Sequence, residues 1–92
     1  MINYATEALA DVKRLHRRLQ GASPAAASKF VERLQAAERQ IAAMPGSWPA
    51  SANGDARRYL MRLGRSIYVV HYTERGDDQI ILRLWHGRED RG

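Results

Sequence analysis

The spacing of the hydrophobic residues changes once along this chain, and that change limits what it can fold into. From Phe30 through Leu34, Ala37, Ile41 and Met44 the apolar residues step by four, three, four and three, the pattern of one face of a helix. Pro45-Gly46-Ser47-Trp48-Pro49 stops that pattern, and the small, turn-forming residues up to Gly54 read as a loop pinned by one aromatic, Trp48. Beyond it the spacing becomes two, as half-buried strands require. Helices gathered early and strands gathered late predict an α+β domain.

The remaining elements follow from local signals. Residues 2–4 form a short strand. Thr6 is placed to cap a first helix, with Glu7 and Asp11 near the positive end of its dipole. Leu9, Val12, His16 and Leu19 make its apolar face, Lys13, Arg14, Arg17 and Arg18 its solvated one, and it ends near Gly21. Ser23-Pro24 restarts the chain as N-cap and first helical residue. So short a connection predicts an antiparallel helical hairpin. Strands are expected over 58–63, 67–73 and 79–86, joined by Gly64-Arg65-Ser66 and Arg75-Gly76-Asp77-Asp78. The order is β-α-α-β-β-β, a helical hairpin packed on one face of a small antiparallel sheet, in a single domain over 1–92. Strict alternation in the last strand turns Ile80, Leu82 and Leu84 to the helices and Ile81, Arg83 and Trp85 to the opposite face. With no helix to cover it, that second face predicts a partner, and Trp48 is expected to anchor its loop between helix and sheet.

Composition removes several classes of chemistry. There is no cysteine, so disulfide, thiolate-metal and cysteine-nucleophile readings fall together. His16, His71 and His86 stand apart from any ligand-spaced cluster, so no metal or cofactor is expected. No serine sits in a nucleophile elbow. No apolar run is long enough to span a bilayer, and a cytoplasmic location is expected. Fifteen Lys and Arg oppose ten Asp and Glu, for a net charge of +5 carried almost wholly by arginine. Arginine favours flat contacts with phosphate or carboxylate, which points to a polyanion or an acidic protein partner. The set Arg57, Arg58, Arg62, Arg65, Arg83 and Arg88, with His86 and Tyr68 near it, reads either as a metal-free RNA-cleaving site or as a binding surface.

The order of elements, Gly54-Asp55-Ala56-Arg57-Arg58-Tyr59, Tyr68-Val69-Val70-His71-Tyr72 and the closing Leu84-Trp85-His86-Gly87-Arg88 together resemble the RelE/ParE superfamily, the toxins of bacterial type II toxin–antitoxin modules. The likeness covers essentially the whole chain and is closer to the ParE branch. RelE-type members are ribosome-dependent messenger-RNA endonucleases with a catalytic arginine where this chain has Val69, and the terminal tyrosine common among them is missing here. ParE-type members are similar in fold, carry a hydrophobic residue at that position and end the last strand in His-Gly-Arg, as His86-Gly87-Arg88 does. The resemblance therefore implies a non-enzymatic toxin that poisons DNA gyrase, contacts its target through Arg65, His86 and Arg88, and forms a hetero-oligomer with its antitoxin. An acidic amphipathic antitoxin segment is expected on Ile81 and Trp85, with its carboxylates on Arg58, Arg62 and Arg83. The alternative is a RelE-like endonuclease using Arg58, Arg62, His86 and Arg88, with His86 as acid or base. A third reading is a scaffold without toxicity.

Overall fold

A computed structural model describes residues 1–50, 54 and 56–89. Most of the expected loop after Ala50 and residues 90–92 lie outside the described residues. The elements are β1 (Ile2–Tyr4), α1 (Thr6–Ala22), α2 (Pro24–Ala43), β2 (Arg57–Leu63), β3 (Ser66–Arg75) and β4 (Asp78–His86), so the α+β order read from the sequence holds. One residue joins the two helices. Ser23 donates its backbone N–H to Leu19 at 2.7 Å, and its Oγ accepts the Ala26 N–H at 3.3 Å. It thus ends α1 and begins α2, with Pro24 at the first helical position.

The sheet runs β1-β4-β3-β2. The last three strands form the expected antiparallel meander, but β1 pairs with β4 in parallel, so the sheet is mixed rather than antiparallel. The helical hairpin and following loop carry the chain from β1 to the opposite edge of the sheet. The meander then returns in two reversals and brings β4 in alongside β1 with the same direction.

The core lies between hairpin and sheet. Phe30, Leu34, Ala37 and Ile41 of α2 meet Met61, Tyr68, Val70, Tyr72, Ile81 and Leu84, with Phe30 edge-on to Tyr68 at 5.5 Å. Tyr72 is fully buried and donates its hydroxyl to the Pro45 carbonyl. Tyr4 donates to Glu38 at 2.5 Å, joining β1 to α2. Trp48 packs on this core, 4.7 Å from Tyr59 and edge-on to it, and Arg57 donates to its carbonyl at 2.7 Å.

Four local expectations need correction. Thr6 is the first residue of α1 and not its cap. Ala5 takes the cap position because its N–H completes the β1 pairing on the Ile81 carbonyl at 2.9 Å while its carbonyl receives the Leu9 N–H. Leu9 is 47% exposed, because α1 turns Ala8, Asp11 and Leu15 inward. Met44, at the α2 C-cap, leaves the helical path at φ −140° and is also exposed. Most consequential is a bulge in β4, where Tyr72 faces Ile81 but His71 faces Arg83, leaving Leu82 without a partner in the register. One extra residue reverses the phase of the strand. Ile81 is consequently a fully buried core residue beside Leu84, Ile80 lies across from Thr73 on the outer face, and Leu82 is not in the core.

Past the bulge, β4 has lost its neighbour on one side, because β1 ends at Tyr4 opposite Ile81. The Leu84 N–H points to that open edge and donates to Asp11 of α1 at 2.9 Å. Asp11 is 3% exposed and also receives Arg83 through Nε at 2.8 Å and Nη2 at 3.0 Å. Burial alone would raise the Asp11 pKa. The bonds from Arg83, from the Leu84 N–H and from Arg14 outweigh it and hold the carboxyl below its usual value.

Asp11→Ala should therefore cost about 3 kcal/mol. An orphaned buried N–H costs about 1–3 kcal/mol, and the severed ion pair adds less than a fully buried one because Arg83 is partly exposed. Urea unfolding of the two proteins checks the figure. A pH series gives a second test. The charged Asp11 contributes fully above its unfolded pKa, near ~3.9, and that contribution is lost as pH falls through the lower folded value. The stability gap between the parent and Asp11→Asn should accordingly narrow on acidification.

Candidate functional site

Two surfaces carry the residues that the sequence singled out. The first is a cleft at one end of the sheet. Leu63 pairs with Ser66, so β2 and β3 are joined by the two-residue turn Gly64-Arg65, which the positive φ of Gly64 (60°) permits. Beside it β4 ends at His86-Gly87, where the Gly87 N–H donates to the Ile67 carbonyl at 2.7 Å. A Cβ on Gly87 would stand 2.9 Å from that same oxygen, so only glycine lets the two chains approach so closely. The resulting cleft, of about 530 Å³, is lined by Arg65, Ser66, Ile67, His86, Gly87 and Arg88. Arg65 and the pair His86 and Arg88, distant from it in sequence, thus share one site.

His86 is held through its backbone and through Nδ1. Its N–H, the next donor on the open edge of β4, goes to Glu89 Oε1 at 2.8 Å. Its Nδ1 accepts the Arg88 N–H at 3.0 Å, and its ring stands edge-on to Tyr68 at 5.0 Å. An Nδ1 that accepts from an amide carries no proton, so the neutral ring holds its proton on Nε2. Glu89 also takes Arg14 Nη1 on its other oxygen at 2.9 Å. Burial works to raise the Glu89 pKa, but the His86 N–H and Arg14 hold it below the usual range. Burial pushes the Tyr68 phenol upward, so it stays protonated near neutrality.

The second surface is the sheet face away from the helices. Pairing places Arg58 in a row with His71 and Arg83, Leu60 with Val69 and Trp85, and Arg62 with Ile67. Arg58, Arg62 and Trp85 therefore share this face with Leu60, which is 58% exposed and which the sequence reading passed over. Ile81 is absent from it, for the reason given by the bulge. Arg83 begins on it but turns around the open edge of β4 to Asp11. His71 packs edge-on to Trp85 at 5.9 Å, and burial, helped by Arg58, lowers its pKa and keeps it neutral.

The set expected for a nuclease is divided between the two surfaces. His86 and Arg88 line the cleft, and Arg62 is paired with its wall at Ile67. Arg58 lies four residues further along β2, about 13 Å away at ~3.3 Å per residue. Among the described residues no three His, Cys, Asp or Glu side chains group as metal ligands, and no helix is long and apolar enough to cross a membrane. Glu89 was missed in the sequence. The signal for it was available, since an acid three residues after a strand end can return to an unpaired strand N–H.

Comparison with curated proteins finds no match to this chain. A family model does match, the ParE toxin of type II toxin-antitoxin system, parDE, over residues 2–91. With all but the two terminal residues covered, the chain belongs to the family of ParE toxins of type II toxin–antitoxin systems.

Proposed function

We propose that this toxin acts by binding and poisoning DNA gyrase, with no reaction of its own, and that its cognate antitoxin neutralises it. The observation that carries the choice of binder over nuclease is the division of the expected nuclease set, with His86 and Arg88 in the cleft and Arg58 four residues beyond Arg62 along β2. A general base needs a free lone pair and a general acid a proton that it can regain. In His86 the Nδ1 lone pair is taken by the Arg88 N–H, so that nitrogen is not free to act as the base. Val69 supports the same reading, since it stands between Leu60 and Trp85 where the nuclease branch has its arginine.

The antitoxin is proposed to dock on the outer sheet face, with apolar side chains on Trp85 and Leu60 and carboxylates on Arg58 and Arg62. Leu60 takes the place first given to Ile81. Arg83 is a poor anchor for a partner because Asp11 already holds it through two nitrogens.

Purified toxin should inhibit gyrase supercoiling and accumulate cleaved DNA–gyrase complexes, and added antitoxin should reverse both. An unaffected gyrase, together with messenger cuts on ribosomes that disappear in His86→Ala, would establish the nuclease instead. For the antitoxin, Trp85→Ala and Arg58→Glu should each weaken binding by about 30-fold or more, the ~2 kcal/mol of an interface hot spot. Calorimetry measures this. Unchanged affinity in both variants would move the interface elsewhere.

A further inference from the structure

Charge is sorted along the sheet. At the β3–β4 turn Glu74, Asp77 and Asp78 are balanced by Arg75, by Arg57 on Glu74 and by the N-terminus on Asp78, while the cleft end carries Arg62, Arg65 and Arg88. Arg18 of α1 belongs to the cleft end too, since its charge bears on both Tyr68 and Glu89. A neighbouring groove of about 410 Å³ shares Ser66 with the cleft and adds Lys29. The acid at this end, Glu89, has both oxygens engaged by Arg14 and the His86 N–H. Among the described residues neither Arg65 nor Arg88 has an ion-pair partner. A modest net charge of +5 thus becomes a concentrated positive field on one end of the molecule.

The lining fits one kind of ligand. Two arginines offer paired N–H donors, the geometry that suits phosphate oxygens. His86, with Nδ1 occupied, has only a donor left in its neutral form. The cleft therefore presents donors without a competing carboxylate. We propose that this end of the toxin binds the phosphodiester backbone of duplex DNA, so that on gyrase it grips the DNA segment as well as the enzyme. The identity of the nucleic acid rests on the gyrase reading; the phosphate site rests on the residues alone.

Non-specific backbone binding has a diagnostic signature. Affinity is about 10⁻⁴–10⁻⁶ M at physiological salt, and log K falls with log salt by about 0.9 per phosphate neutralised. The test is fluorescence anisotropy of a short labelled DNA duplex, titrated with free toxin over a range of salt concentrations. The Arg65→Ala/Arg88→Ala variant should bind about tenfold more weakly, with a salt slope reduced by about two. Arg39→Ala/Arg75→Ala removes the same charge from exposed positions away from the cleft and should bind like the parent. Circular dichroism and melting confirm that both variants fold.

The gyrase cleavage assay is run on the same proteins, with single-stranded RNA of equal length as a second ligand. Parallel loss of duplex binding and gyrase poisoning in the cleft variant alone supports the inference. A parent that poisons gyrase but binds no duplex at low salt, or a cleft variant that poisons as well as the parent, overturns it and leaves the gyrase reading intact. Equal losses in the two variants overturn it as well, since bulk charge would then be responsible. Preference for RNA over duplex overturns the assignment to DNA. Duplex binding with the expected variant pattern but no effect on gyrase supports the phosphate site and rejects gyrase as the target.

Discussion

The carboxylate of Asp11 takes the place of a neighbouring strand at the edge of β4 that β1 leaves open. β1 is three residues long and covers β4 only as far as Ile81, although β4 continues to His86. The N–H groups of Leu84 and His86 then face an open edge, each a loss of about 1–3 kcal/mol if buried without an acceptor, against a total stability of about 5–15 kcal/mol for a domain. Asp11 accepts the first and Glu89 the second. Each acid is in turn neutralised by arginine, Arg83 on Asp11 and Arg14 on Glu89. This row of acceptors sets how α1 lies on the sheet, and α2 follows through the one-residue turn at Ser23.

Elements with an unbroken period were legible in the sequence for a physical reason. The α2 stripe from Phe30 to Ile41 faces one uninterrupted core, and the strands of the meander are separated by connectors too short for any other topology. β4 was legible as a strand but not in its facing. A bulge adds one residue without altering composition or local propensity, so Ile80-Ile81-Leu82 reads equally well in either phase. Tertiary demand chose the phase that buries Ile81. Asp11 was visible as an acid in the first turns of a helix, where a dipole role explains it. Its partners on β4 are 72 and 73 residues away, and no local pattern identifies them. Leu9 was misplaced for a related reason, since the inward face of α1 is fixed partly by a charged residue that a hydrophobic pattern assigns to solvent.

The end cleft was legible as a set of residues but not as a place. Arg65 stood out as a turn residue and His86-Gly87-Arg88 as a strand end. What joins them is the close approach of Gly87 to the Ile67 carbonyl, which depends on the register of β3 against β4. The outer face was found by alternation, but with one wrong member, Ile81, and one omission, Leu60. Both errors trace to single-strand reasoning about a surface assembled from three strands.

The two surfaces adjoin, and this bears on how neutralisation would work. The rows of the outer face run from Arg58, His71 and Arg83, through Leu60, Val69 and Trp85, to Arg62 and Ile67, and Ile67 is already a wall of the cleft. On the proposed placement, an antitoxin segment that uses Trp85 and Arg62 ends at the cleft rim, where its carboxylates would meet the same arginines that are proposed to receive phosphate. Neutralisation then needs no change in the fold of the toxin. An acidic chain on the outer face would exclude the backbone by occupancy at contact and by charge over a Debye length of about 8 Å in physiological salt. Asp11 makes this arrangement workable from within. By holding Arg83 at the edge of β4 it draws that guanidinium toward α1, and the row of Leu60, Val69 and Trp85 is left for a partner to cover.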